Sequence, residues 1–399
     1  MAESAISFDS LFGLDGPVRA LRNALQREQI AATYLFTGPT GVGKTSLALA
    51  FARAATCRTP RLDPFDACGV CDSCRRADAG AHPEICCVAP AGEFTQIWQF
   101  WDRPGRPAGV LSSTLNFAPV IGVRRVYIVE RADTLMEPAA NSLLKTLEEP
   151  PRYAVFVLLA PHPARVLPTI VSRAQTLRLA PAPADQLCRY LRSTADLDAE
   201  RAASLAAWSE GCTGTALRLA RSPQEIARLQ DALSFALSVP SSRPLAALRI
   251  GERIRKLATE VGQPSPAGTT GEDVGAADDS EGSGPPSGGK ERMQRGALGF
   301  VLDILITAYR DLLAASTAGG EARLVHVTHR DEILRVARTR PPVAWAADIE
   351  TLTEARRWVD QMVSLPALAD WLSVRLGAAS SPALNGGEGA RKGNRSWGR

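Results

Sequence analysis

Gly38-Pro39-Thr40-Gly41-Val42-Gly43-Lys44-Thr45 has the order and composition of a phosphate-binding loop. Its glycines let backbone amides wrap an anion, and the following helix N-terminus adds partial positive charge. Lys44 is placed to reach the terminal phosphates of a nucleotide, and Thr45, with Ser46 beside it, to ligate Mg²⁺. The chemistry expected is ATP binding with Mg²⁺. Twelve residues beyond Thr45, Cys57 opens a second constellation, C-x10-C-x2-C-x2-C, completed by Cys68, Cys71 and Cys74. Four soft thiolates with no open position favour a structural Zn²⁺ over a catalytic metal, with an iron–sulfur cluster or free thiols as alternatives. Cys86 and Cys87 lie in a strand pattern and read as buried small apolar residues, and His82, beside Pro83, as a loop residue rather than a further ligand.

In nucleotide-hydrolysing phosphate-loop proteins a second apolar strand ends in an acid that serves the Mg²⁺ shell, and a following Glu polarises the attacking water. Here Val126-Tyr127-Ile128-Val129 leads into Glu130-Arg131-Ala132-Asp133. Glu130 can serve the metal. Arg131 occupies the place of the catalytic Glu, and a guanidinium protonated at any relevant pH cannot act as a general base. Hydrolysis is therefore expected to be slow or absent unless Asp133 substitutes, and Asp133 itself reads first as an acid at the start of a turn or helix. The segment after it, from Glu137 to Glu149, places Pro138 in a first helical turn and Ala140, Leu143, Leu144 and Leu147 on one face. Pro150-Pro151 stops it.

Positioning these residues requires a parallel sheet flanked by helices. Apolar, β-rich runs at 34–37, 85–88, 126–129, 154–159 and 176–179 alternate with helical patterns, so residues 1–180 read as an α/β phosphate-loop domain carrying the cysteine insert at 57–74. Residues 181–222 read as a small helical lid, and 223–378 as an all-α domain. Residues 262–290 are rich in Gly, Pro, Ser and acid and nearly devoid of large apolar side chains. They read as a disordered insertion, and 379–399 as a disordered, basic tail. The chain has 399 residues, 45% hydrophobic, and 46 basic against 42 acidic side chains. That balance is too even to announce nucleic-acid binding by the whole chain. Without a secretory leader or an apolar run long enough for a membrane, a cytosolic protein is expected.

AANSLLKTLEEPP at 139–151, set between a strand and VFVLLA at 155–160, and followed by TIVSRA at 169–174, resembles the bacterial DNA polymerase III clamp-loader family, whose phosphate loop and four-cysteine insert are also similar. The resemblance covers Phe8 to about Leu219. It implies an AAA+ domain, a lid and a helical collar through which five subunits form an open ring. Both the ATP-hydrolysing tau/gamma motor and the delta-prime stator share these motifs. The motor's catalytic Glu, its polar sensor and its phosphate-sensing lid Arg fall here at Arg131, Ala160-Pro161 and Gly214, so the chain looks like the delta-prime kind. Ser172-Arg173 matches the family's S-R-C motif, with Ala174 in place of the Cys. The resemblance implies that Arg173 projects into a neighbouring motor's ATP site, the alternative being that it pairs with a local acid. It also implies tau/gamma and delta subunits, the sliding clamp and primer-template DNA as partners.

Overall fold

A computed structural model describes residues 6–91, 94–241, 250–261, 287–360 and 363–378. Two compact units divide the chain between Arg221 and Ser222. In the first, α1 (Asp15–Gln26) precedes β1 (Thr33–Thr37), and the phosphate loop joins β1 to α2 (Lys44–Thr56). The cysteine insert follows, with a short hairpin of β2 (Arg61–Leu62) and β3 (Phe65–Asp66) and a helix α3 (Asp72–Asp78). Then come β4 (Ile85–Val88), α4 (Val110–Thr114), β5 (Arg125–Val129), α5 (Glu137–Glu148), β6 (Ala154–Ala160), α6 (Pro168–Val171) and β7 (Gln175–Arg178).

Among the described residues, five parallel strands form a sheet in the order β4-β5-β6-β1-β7. β1 and β6 lie inside it and are buried throughout, as parallel strands covered on both faces must be. Alternation along the strands makes two cores. Tyr34, Phe36, Val126, Ile128, Val155 and Val157 pack on one face with Leu47 and Phe51 of α2. Leu35, Tyr127, Val129, Phe156 and Leu158 pack on the other with Leu143 and Leu147 of α5. Tyr127 stacks on Phe156 at 4.9 Å between ring centroids. Chain order reverses around β1, between β6 and β7, and ligands of open α/β sheets bind at such a point, beyond the strands' carboxyl ends.

Three helices, α7 (Ala184–Thr194), α8 (Ala199–Trp208) and α9 (Thr213–Arg221), complete this unit. Leu187, Leu191, Ala202, Leu205, Ala216 and Leu219 are their buried positions. Phe12 stacks on Tyr190 at 4.1 Å, tying the N-terminal segment to α7.

The second unit is helical throughout its described residues: α10 (Pro223–Ser238), α11 (Ile250–Val261), α12 (Ser287–Ala318), α13 (Arg330–Ala337), α14 (Pro342–Asp360) and α15 (Leu365–Ala378). Val301, Leu302, Leu305, Tyr309 and Leu312 of α12 are buried, and Tyr309 meets Trp345 of α14 edge-on at 5.8 Å. A buried Arg340–Asp348 pair at 2.7 Å lies beside the same Trp345. Helix α12 opens at Ser287, so 287–290, expected to belong to the disordered insertion, are helical. The rest of that insertion and the tail lie outside the described residues. No helix among them is long and apolar enough to cross a membrane.

Candidate nucleotide and metal sites

The phosphate loop leaves the carboxyl end of β1 and enters α2 at Gly43, which adopts φ 109° and has no side chain to cap the helix. The first amides of α2 are thus left for an anion, as a phosphate site requires. Lys44 turns its Nζ onto the loop itself, donating to the carbonyls of Gly38 at 2.7 Å and Pro39 at 2.9 Å. Burial lowers its pKa, against the opposing pull of Cys212 and Asp133. Val42 is buried, Ser46 half-buried and Thr45 exposed.

Strand β5 delivers Glu130 half-buried at its end, with its amide bonded to Val88. Arg131 follows with φ 50°, its side chain exposed and 3.9 Å from Asp133. Asp133 sits in a short 3₁₀ turn, Ala132–Thr134, in keeping with its reading as an acid at a turn. Its carboxylate is nevertheless buried, within electrostatic reach of Lys44, and Oδ1 has no hydrogen-bond partner. β6 ends at Ala160, fully buried, before Pro161.

Helix α9 meets the loop through its backbone. The amide of Gly214, in the first turn of α9, donates to the carbonyl of Gly41 at 2.8 Å. A methyl added at Gly41, which has φ 79°, would stand 2.0 Å from Thr215 Oγ1, and one added at Gly214 would stand 2.8 Å from Gly41 O. Only glycine fits both positions. Where the resemblance places a phosphate-sensing Arg, this chain has a residue small enough to let backbone meet backbone.

Cys57, Cys68, Cys71 and Cys74 converge, their four Sγ atoms within 4.8 Å of one another. Cys57–Cys71 and Cys68–Cys74 are 3.9 Å apart and Cys57–Cys74 3.6 Å. A tetrahedral ion with metal–sulfur bonds of about 2.3 Å sets sulfurs about 3.8 Å apart, so the donor set fits one. Backbone amides support it: Cys68 N donates to Cys57 Sγ, Cys71 N to Cys68 Sγ and Cys74 N to Cys71 Sγ, at 3.4–3.5 Å. Burial opposes ionisation of Cys68, but bonds from Thr59 and from the amides of Val70 and Cys71 outweigh it and bring the thiol down to about 6. Burial raises Cys57 and Cys74.

His82 is no ligand here. It is buried, with Nε2 2.9 Å from Ser73 Oγ and Nδ1 accepting the amide of Glu84. Ser73 donates in turn to the carbonyl of Thr56 at the end of α2. Glu84 accepts from the amides of Val120, Ile121 and Gly122. This buried relay ties the cysteine module to the strand β4. Neither Ser73 nor Glu84 carries a spacing signal in the sequence. Cys87 departs from expectation: it is exposed and Cys86 only partly buried, because β4 is the outer strand of the sheet.

Ser172 and Arg173 follow α6. Ser172 Oγ donates to Thr169 O at 3.0 Å. Arg173 pairs with Glu148, Nη2 to Oε1 2.6 Å, and also donates to Thr169 O at 2.9 Å. Glu148, the last residue of α5, was not singled out by its sequence context.

The family described as DNA polymerase III, delta subunit, matches residues 14–183. The delta' subunit of DNA polymerase III from Bacillus subtilis is 33% identical over 178 residues, covering 44% of this chain and 51% of that protein. The Pseudomonas aeruginosa delta' subunit is 36% identical over 194 residues, covering 48% of this chain and 57% of its own length. The tau subunit from B. subtilis is 32% identical over 170 residues, 42% of this chain and 28% of that protein. The matches thus span about half of each delta' relative and less of tau. Through its phosphate loop, cysteine module and parallel sheet, the N-terminal part of this chain resembles bacterial DNA polymerase III clamp-loader subunits of the delta-prime type.

Proposed function

We propose that this chain is a delta-prime-type stator of a bacterial clamp loader, helping to place a sliding clamp on primer-template DNA within a ring that includes tau/gamma and delta subunits. The observation that carries the reading is the 2.8 Å bond from the Gly214 amide to the Gly41 carbonyl. A motor's lid is docked by an Arg that touches the nucleotide, so its position reports on ATP. Here the lid meets the loop through the chain's own backbone, with no arginine at that position to reach a phosphate. Arg131, in the place of the water-polarising Glu, supports the same conclusion.

Gly38, Gly41, Val42, Gly43, Lys44, Thr45, Ser46 and Glu130 would hold ATP and Mg²⁺, with the Asp133 carboxylate, whose Oδ1 is orphaned, within electrostatic reach of Lys44. Bound ATP would supply a phosphoryl group, but no residue at the Arg131 position takes a proton from water. Zn²⁺ at the four thiols would be structural, since no ligand position is left open. Arg173 is assigned to the site of a neighbouring motor subunit, where a guanidinium stabilises charge developing on the transferred phosphoryl group.

The test is ATP turnover by the isolated chain and by the reconstituted ring, with and without clamp and DNA. Negligible turnover alone, and partner turnover that falls by ~10³ on Arg173→Ala, is the expected result. The alternative is a tau/gamma-type motor, favoured by the intact phosphate loop and the Asp133 carboxylate near Lys44. Robust turnover by the chain alone, lost on Lys44→Ala, would establish it instead.

A further inference from the structure

We propose that Glu148 is a positioning residue that parks the Arg173 guanidinium on its own subunit, so that engagement with the neighbouring ATP site requires breaking the Glu148–Arg173 pair; this rests on the assignment of Arg173 to that site. Glu148 closes helix α5 and Glu149 caps it. Two carboxylates at the negative end of a helix dipole are disfavoured, so helix stability does not explain them. What Glu148 does is hold Arg173: Nη2 lies 2.6 Å from Oε1, Nη1 donates to Thr169 O at 2.9 Å, and Nη1 lies 3.3 Å from Ser172 Oγ. Three of the five guanidinium donors are committed within the subunit, and the adjoining carboxylate offsets the charge a phosphoryl group needs. The parked arginine is less available to a phosphate.

Both side chains are partly exposed, 37% for Arg173 and 48% for Glu148, so the pair is screened by solvent and can open. A pair of this kind shifts an equilibrium by up to about fivefold and no more. It tunes the arginine without locking it away. When the neighbour's γ-phosphate approaches, Nη1 and Nη2 exchange carboxylate, hydroxyl and carbonyl for phosphoryl oxygens, and no covalent bond changes in this chain.

The experiment compares partner ATPase in rings assembled with the full-length chain as wild type, Glu148→Gln, Glu148→Ala and Arg173→Ala, with assembly followed by gel filtration. Glu148→Gln keeps an acceptor and removes the charge. It should raise the partner's kcat about two- to fivefold with KM for ATP unchanged, and Glu148→Ala should do the same. The gain should shrink as salt rises from about 0.05 to about 0.5 M, since the parked pair is screened in the wild type. If Arg173→Ala abolishes stimulation but both Glu148 variants leave kcat unchanged or lower it, or fail to assemble, the parking role is overturned while the assignment of Arg173 stands. If Arg173→Ala itself changes nothing, the assignment falls and the parking role with it.

Discussion

Replacing Gly214 with alanine sets two rules against each other. Helix propensity alone makes Gly→Ala favourable by up to about 1 kcal/mol inside a helix, and less in a first turn. The contact at this position argues the opposite. The added methyl would sit 2.8 Å from the carbonyl oxygen of Gly41, well inside van der Waals distance, and that oxygen belongs to backbone fixed by the phosphate loop. Overpacking of this kind costs about 1–3 kcal/mol. Relieving it by shifting the lid lengthens the Gly214–Gly41 hydrogen bond, a further loss of about 1 kcal/mol. After subtracting the propensity gain, undocking of the lid should become easier by about 1–3 kcal/mol. Amide hydrogen exchange on the full-length chain reads this directly, as a fall of about fivefold or more in the protection of residue 214 and its neighbours in α9. Gly296→Ala is the control, because Gly296 lies within α12 with nothing within 4 Å of the added methyl. It should be neutral or slightly stabilising. Unchanged or increased lid protection in Gly214→Ala would refute the claim that backbone contact docks the lid.

Three further outcomes are expected. Chain purified without chelator should carry one Zn²⁺, and Cys74→Ser, at the buried corner of the thiol cluster, should lose it, with metal content and thiol titration as the readouts. His82 is buried and neutral, its pKa lowered from 6.5 chiefly by desolvation. The unfolded chain therefore binds a proton that the folded chain does not, so stability rises with pH through the window just below about 6.5 and falls on acidification through it. The loss of thermal stability between about pH 7.5 and about pH 5.5 should be smaller in His82→Gln than in wild type. Lys44→Ala should leave partner ATPase unchanged in a reconstituted ring, whereas a fall comparable to that of Arg173→Ala would show that this chain's own site takes part in turnover.

The sheet was largely legible because each strand is a short apolar run bounded by breakers. The run expected at 85–88 is β4, those at 34–37, 126–129 and 154–159 differ from the observed strands by one residue at one end, and that at 176–179 is shifted by one residue at both ends. The phosphate loop and the cysteine cluster were legible for a related reason: their chemistry is written in residues close together in sequence. What was hidden depends on contacts between distant residues. Gly214 reads in sequence as the loss of an arginine, and its contact with Gly41 becomes visible only when α9 and the loop are brought together. That a local acid could pair with Arg173 was open in the sequence, but Glu148 is identified as that acid only when α6 places Arg173 against it. The expectation for Cys87 failed because a strand's pattern does not say whether it lies at the centre or edge of a sheet. Asp133 was legible as a turn residue, but its burial near Lys44 depends on how the turn after β5 folds under the phosphate loop.

Helix α2 begins at Lys44 in the phosphate loop and ends at Thr56, one residue before the first cysteine of the thiol cluster. Thirteen residues at about 1.5 Å each make a strut about 20 Å long, and such a strut transmits load without compressing. With Cys57 held among the thiols and Ser73 fastened to the carbonyl of Thr56, its far end is clamped. The phosphate loop and the thiol cluster are thus held at the two ends of a single helix.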